Sequence, residues 1–401
     1  MKRMFFLIPL LILTVSFAGA ITIWFSGQGK SQFKSIVNEF NVQNPHELIN
    51  LVCISNIHQK LQQTLKDHGT LPDAALLGSG EIAVLASLKR IAPVVMVDTT
   101  NFFKKAFTYK NHMYAYPYYA NVQLVYVNAD VYRGSLPGND WTINTLEKMI
   151  SNVKESNHEG IGFDESSPYL FTSFNVAFND GRMPQKNGVP FVNTEGTMKA
   201  FKFYNMLFNE KKYAVSYPTK TLIKVFEGGK VAFIFQSSSW FPRFLKDKVN
   251  FRVLPYPRLS NDQQIPPILD AKGFVVFKKS SAMRKFLDYV TSVKQEIRFC
   301  SSTYTLPANP QAIRALQHPK SVFNLITTAT PTPYAIYNLQ ILIQTMYASA
   351  KRSLILPIFV GQNIYFKAIT VALNLYLKDK KPLKEVLNET QRYINDEFKS
   401  Q

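Results

Sequence analysis

The chain has 401 residues, 46% of them apolar and 18% charged, a balance that excludes an intrinsically disordered protein and supplies a core large enough for two or three domains. Its formal net charge is +19, yet no run of Lys or Arg exceeds two and no zinc-finger or related motif accompanies them, so no nucleic-acid partner is expected. The charge reads as a solvated surface, with attraction to an anionic ligand or membrane surface as the alternative.

Met1 to Ala20 reads as an export signal. Lys2 and Arg3 give the positive start, Met4 to Val15 a short apolar run, and Ala18-Gly19-Ala20 the small-residue cleavage site. A mature chain starting near Ile21 and released into the periplasm is the expectation, and no cysteine follows the cut to carry a lipid anchor. Removal of the two leader charges leaves +17 of the +19. Cys53 and Cys300 are too few for a disulfide framework. Cys53 lies in the apolar run Leu51 to Ile54, where a buried thiol acts as a small hydrophobe, and two unpaired thiols are expected.

Strand and helix signals then alternate. Ile21 to Phe25 reads as a strand, followed by a helix carrying Phe33, Ile36, Val37 and Phe40 at helical spacing and stopped by Asn44-Pro45. Leu48 to Ile54 is a second strand, Ile57, Leu61 and Leu65 mark a second helix, Asp73 to Leu77 is a third strand, and Gly78-Ser79-Gly80 leads into a helix through Ile82, Leu85 and Leu88. This βαβαβα opening predicts an open parallel sheet with crossover helices. Thr108 to Pro117 reads as a polar and aromatic turn, and Val122 to Val127 as a strand. A second set follows: helices around Leu146 to Val153, Pro168 to Asn179 and Thr194 to Lys211, and strands at Ile161 to Phe163, Val231 to Phe235, Phe251 to Pro255 and Gly273 to Phe277, with a mainly helical remainder. Two α/β units account for these elements.

In open α/β sheets ligands bind beyond the carboxyl ends of the strands, where helix N-termini offer free N–H groups. Ser26-Gly27-Gln28-Gly29 and Gly78-Ser79-Gly80 occupy such positions. Gly29-Lys30-Ser31 resembles the end of a phosphate-binding P-loop, but Trp24 stands where its first glycine belongs. Tyr114, Tyr116, Tyr118 and Tyr119 crowd a segment beside Asn121, and Trp24, Tyr169, Trp240 and Tyr304 fall near other loops. Aromatic faces with polar tips suit a sugar, which presents C–H faces and a rim of hydroxyls, while about half of these rings are expected in the core. The six histidines show no metal-ligand spacing, no nucleophile elbow is present, and the adjacent carboxylates Asp164-Glu165 read as solvated. Neither catalysis, metal nor cofactor is indicated.

Motif order then resembles the extracellular solute-binding proteins of ABC importers, in the branch that contains the maltose- and glycerol-3-phosphate-binding proteins. Ile21-Thr22-Ile23-Trp24, Glu39-Phe40-Asn41 with Asn44-Pro45, and Leu71-Pro72-Asp73 resemble that family's opening. Asn111 to Pro117, Val125 to Asp130, Phe226 to Ala232 with Ser238-Ser239-Trp240, and Tyr304 to Pro307 resemble later segments in the same order.

The resemblance implies a two-lobed periplasmic binding protein fold of type II, each lobe a sheet flanked by helices, with the ligand cleft between lobes. The first lobe would hold residues 21–125 and 271–306, and the second residues 128–268 and 311–401. Crossovers would lie near 126–127, 269–270 and 307–310. Carried over by position, Trp24, Ser26, Ser79, Tyr118, Asn121, Ser238, Ser239, Trp240, Gly273 and Tyr304 would line the cleft, with Phe366 near a sugar-stacking position; Gln28 and Tyr169 join them from the residue reading. The implied partners are a sugar or polyol-like solute and ABC permease subunits at the membrane, with the chain as a monomer. A glycerol-3-phosphate or glycerophosphodiester ligand is the alternative. Against it, Gly78 and Asn363 stand where those binders carry an acidic residue and an arginine. An exported glycoside hydrolase and a sensory binding module are further alternatives.

Overall fold

The structure, a computed structural model, describes residues 20–95, 98–154, 158–260, 263–326, 332–356 and 361–399. The export signal read from the sequence lies outside these residues except for Ala20. Among the described residues eleven strands form one hydrogen-bonded sheet, eight along a continuous path and three (β8, β10 and β11) branching from it: β1 (Ile21–Phe25), β2 (Ile49–Cys53), β3 (Ala74–Gly78), β4 (Tyr116–Asn128), β5 (Glu159–Phe163), β6 (Ala214–Ser216), β7 (Val231–Ser237), β8 (Phe251–Leu254), β9 (Ile268–Val276), β10 (Leu306–Pro307) and β11 (Leu354–Ile355).

The path divides at β4. Its first half, through Val122, pairs with β9 and β10; its second half, from Gln123, pairs with β7 and β8. Around the first half stands the sheet β2-β1-β3-β9, with β1 parallel to both β2 and β3 and β9 antiparallel to β3. Around the second stands β6-β5-β7, all parallel, with β8 on the other side of β4. Each half is an α/β lobe, and β4 is the element they share. Because β4 is buried on both faces, its sequence carries no alternation of apolar and polar residues. The strand begins at Tyr116, inside the segment read from sequence as a turn, where that missing alternation hides it.

The helices that flank the first sheet follow from periodicity and capping. Lys30–Gln43 turns Phe33, Ile36, Val37 and Phe40 inward, and Phe33 stacks on Phe25 with ring centroids 4.3 Å apart. Ile57–Lys66 begins where Asn56 Oδ1 accepts the Gln59 N–H at 3.1 Å, and Ser280 Oγ does the same for Met283 at 3.0 Å at the head of Ser281–Val290. In the second lobe Pro168–Phe178, Glu195–Asn205, Gln362–Leu377 and Leu383–Lys399 pack together around Phe171, Phe174, Tyr204 and Ile369. Helix Pro333–Ala350 lies against β4, β8 and Pro310–Gln317, so its buried Leu339, Leu342, Ile343 and Met346 belong to the core that includes the first sheet.

Register breaks once in β9: Lys272 faces Tyr119 but Gly273 faces Pro117, which makes Tyr118 the extra residue of a β-bulge. Pro117 has no N–H to give to a ladder, and the bulge accommodates it. Cys53 and Cys300 are unpaired. Cys53 is exposed, contrary to its reading as a buried hydrophobe, because β2 is the edge strand and its last residues point to solvent. Cys300 is buried.

Candidate functional site

Between the lobes lies a cavity of about 470 Å³. Asn121 and Gln123 of β4 line it, together with Ile268, Asp270 and Lys272 of β9. The second lobe contributes Asp164, Ser167, Tyr169 and Leu170, Thr219, and the end of β7 from Phe235 to Ser237. Leu356 completes the wall. Both lobes and both long connecting strands therefore present side chains to one space.

A relay of hydrogen bonds ties the lobes at its edge. Ser238 Oγ donates to Asn121 Oδ1 at 3.2 Å and accepts the Val122 N–H at 3.1 Å, while Asn121 Nδ2 donates to Gln28 Oε1 at 3.4 Å. Gln28 Nε2 then donates to the Thr303 carbonyl at 2.7 Å. The loop after β1 can reach Thr303 because Gly29, at φ +75°, occupies the left-handed region and a Cβ there would collide with Thr303 and Phe299. Ser79 Oγ donates to the Leu356 carbonyl, which holds the cavity wall against the start of the third helix.

The charged groups are arranged in pairs. Lys272 Nζ lies 2.9 Å from Asp270 Oδ1. Burial would push the Lys272 ammonium down, but the neighbouring Asp270 and Glu81 carboxylates outweigh it and hold its pKa above the ordinary lysine value. His58 Nδ1 sits 3.1 Å from Glu81 Oε1, and that hydrogen bond raises the imidazole pKa. Asp164 accepts the Ser166 hydroxyl at 2.8 Å and the Thr219 hydroxyl at 3.1 Å, and Glu165 pairs with Lys378 at 2.7 Å. The two carboxylates read as solvated are thus engaged: Asp164 at the cavity and Glu165 with a helix of its own lobe.

Tyr169 is 46% exposed and stands over the cavity, its ring centroid 4.7 Å from that of the buried Phe366. Burial and the Asp270 charge raise its phenol pKa, so it stays a neutral donor and acceptor.

Of the residues carried over by sequence, Asn121 and Tyr169 line the cavity, Phe366 supports Tyr169, and Gln28, Ser79 and Ser238 form its hydrogen-bonded frame. Ser26 is half-buried in the loop after β1. Ser239 is exposed and donates to Ser237 Oγ at 3.0 Å; Trp240 is half-buried with the Arg243 guanidinium 5.7 Å from its ring. Tyr304 packs on Phe241 across the lobe junction at 5.4 Å. Three others are not among the residues lining this cavity. Trp24 lies in the core between Val52 and Ala75 of the flanking strands. Tyr118 is wholly buried among Phe33, Phe274 and Phe299, its bulge position turning it away from the cleft. Gly273 permits the close approach of Phe107 and the Tyr116 carbonyl, each 2.9 Å from where a Cβ would be.

Sequence reasoning missed Gln123, Gln236, Thr219, Asp270 and Lys272. The available signal was Asp270-Ala271-Lys272, charges two apart and hence on one strand face, inside an otherwise apolar run.

A family model described as bacterial extracellular solute-binding protein matches residues 35–322. The chain belongs to this family. As a solute-binding protein it is 22% identical over 289 residues to the maltodextrin-binding protein MdxE of Bacillus subtilis (strain 168), covering 66% of this chain and 68% of that one. Its fold is that of the sugar-binding protein MalE from Xanthomonas citri (TM-score 0.77, 17% identity, 94% of this chain and 96% of that one). It is also that of a cyclo/maltodextrin-binding protein complexed with maltotetraose (TM-score 0.76, 14% identity, 94% and 97%). At these identities the structural likeness establishes the two-lobed fold. Among the described residues of this solute-binding protein no helix is long and apolar enough to cross a membrane.

Proposed function

We propose that the chain is the exported solute-binding component of an ABC importer, which captures a neutral sugar of the maltodextrin class between its lobes and delivers it unchanged to a membrane permease. The observation that carries this reading is the cavity at the β4 and β9 crossings, with the Tyr169 ring on one side and hydroxyl, amide and carboxylate groups from both lobes around it. An aromatic face meets the C–H face of a pyranose, and Asn121, Gln123, Gln236 and Thr219 meet its hydroxyls. Names of the relatives, a maltodextrin-binding protein and a complex with maltotetraose, support the same class.

A ligand touching both lobes favours the closed arrangement, since only there does it gain all of its contacts, and two-lobed binding proteins close on their ligands by hinge motion. In this reading residues 21–122 with the return strand and Leu306–Pro307 form the first lobe, and the change of partners between Val122 and Gln123 marks the first hinge, slightly before the boundary drawn from sequence. No chemical step is part of the cycle, and the chain acts as a monomer.

The test is calorimetric titration of the purified protein with maltose, maltotriose and maltotetraose. Saturable binding of at least one, recovered unhydrolysed, supports the reading. Absence of binding to all three, or release of glucose, refutes it.

A further inference from the structure

The long-range field of this chain and the local field of its cleft have opposite signs. With a net charge near +17 after the leader, the surface gathers anions. Inside the cavity the lining carries Asp164 from one lobe, and Asp270 and Lys272 from the other. Lys272 is the one cation among the described lining residues, and its ammonium is already engaged at 2.9 Å by Asp270.

A second carboxylate stands behind the pair. A Cβ placed on Gly78 would lie 3.3 Å from Glu81 Oε2 and 3.4 Å from Lys272 Nζ, so both charged atoms lie against the same glycine. Any larger residue at position 78 would wedge into that space. Glu81 is itself held from its other oxygen by His58 Nδ1 at 3.1 Å. Lys272 therefore faces two carboxylates on its own lobe, and Asp164 across the cavity brings the same sign from the other.

We propose that Asp270 and Glu81 act on Lys272 as a charge filter, cancelling the cation of the cleft and so excluding phosphorylated and carboxylated solutes that neutral solutes of the same size resemble. A phosphate entering this space would have to take the ammonium from Asp270 and lie opposite Asp164, in a partly enclosed site where like charges are weakly screened. A hydroxyl meets no such conflict, because carboxylates accept it and the ammonium donates to it without separating. Asp270 and Glu81 thus become specificity-determining residues through their effect on Lys272. The inference rests on reading this cavity as the ligand cleft.

The experiment separates the filter from the sugar reading by using an anion with no sugar present. Glycerol 3-phosphate is titrated calorimetrically into the wild-type protein, the Glu81→Gln/Asp270→Asn variant, and that variant carrying Lys272→Met as well. Wild type is expected to give no saturable binding. The double variant is expected to bind with an affinity at least about tenfold above any wild-type signal, a difference of about 1.4 kcal/mol, and Lys272→Met is expected to abolish the gain. That last arm distinguishes the cleft from anions gathered by surface lysines, which all three proteins share. Saturable glycerol 3-phosphate binding by wild type, or a double variant that gains nothing, overturns the filter. If the double variant does not fold, Asp270→Asn alone is read by the same criteria. Maltose, maltotriose and maltotetraose all failing to bind wild type while the anion results hold would retire the sugar reading and leave the filter in place.

Discussion

Ser238, just past the end of strand β7, donates its hydroxyl to Asn121 of the crossover strand at 3.2 Å and is wholly buried there. The same oxygen accepts the Val122 N–H at 3.1 Å, the point at which β4 exchanges one set of partners for the other. One side chain thus fixes the second lobe to the residue where the shared strand changes hands.

Ser238→Ala removes both bonds and leaves the buried Val122 N–H and Asn121 Oδ1 without that partner. The expected loss of stability is about 1–3 kcal/mol, the usual cost of stranding a buried polar group. Urea unfolding at neutral pH reads it. A midpoint indistinguishable from wild type would show that the tie contributes nothing in the unliganded protein.

Two tyrosines predicted for the cleft should part company on mutation. Tyr118→Phe deletes a hydroxyl that is buried without a hydrogen-bond partner, so stability should hold or rise and maltotriose affinity should stay unchanged. Tyr169→Ala deletes an exposed ring that covers the cavity, so affinity should fall by about 1 kcal/mol or more, roughly fivefold, with the melting temperature nearly constant. Titration and thermal melts of the two variants decide. Weakened binding in Tyr118→Phe with wild-type binding in Tyr169→Ala would reverse the assignment.

That pair also shows where sequence reasoning stopped. The helix through Phe33, Ile36, Val37 and Phe40 was legible because one face is buried and the other is wet, and periodicity reports that difference. Strand β4 has no wet face, so the run Tyr116-Pro117-Tyr118-Tyr119 looked like a loop of aromatics, and which ring faced the cleft depended on a bulge that sequence does not display. Asn121 and Tyr169 were legible from residue type beside a crossover and a helix start. Asp270 and Lys272 were not singled out, because a charged pair inside a strand gains meaning only once the strand is known to cross between lobes.

Thiol chemistry should follow burial. Cys53 is exposed on the edge strand, whereas Cys300 is buried and burial pushes its thiol pKa well up, with Glu296 adding to the effect. In the native state a maleimide should modify one thiol per chain at neutral pH, at Cys53, and two after denaturation. Mass spectrometry of labelled peptides checks this. Rapid native labelling of Cys300, or no free thiols in the denatured oxidised protein, would contradict it.

The pH dependence of stability should carry the signature of Glu296. Its carboxyl is 1% exposed and accepts the Asn309 N–H at 2.7 Å, at the cap of the helix that follows β10. Burial raises its pKa well above the ordinary glutamate value, an effect that the Asn309 and Ala308 N–H groups only partly offset. A carboxyl with a raised folded-state pKa binds its proton more tightly in the native state than in the unfolded one. Its favourable contribution is complete below the unfolded value and is lost as pH rises through the folded value. Glu296→Gln keeps an acceptor for Asn309 but cannot ionise. The variant should therefore match wild type near the ordinary glutamate pKa of about 4 and gain on it steadily as the pH is raised, with urea midpoints measured across the range as the readout. A constant difference between the two proteins, or one that grows toward acid, would mean that Glu296 is charged in the folded state and held there by its backbone donors.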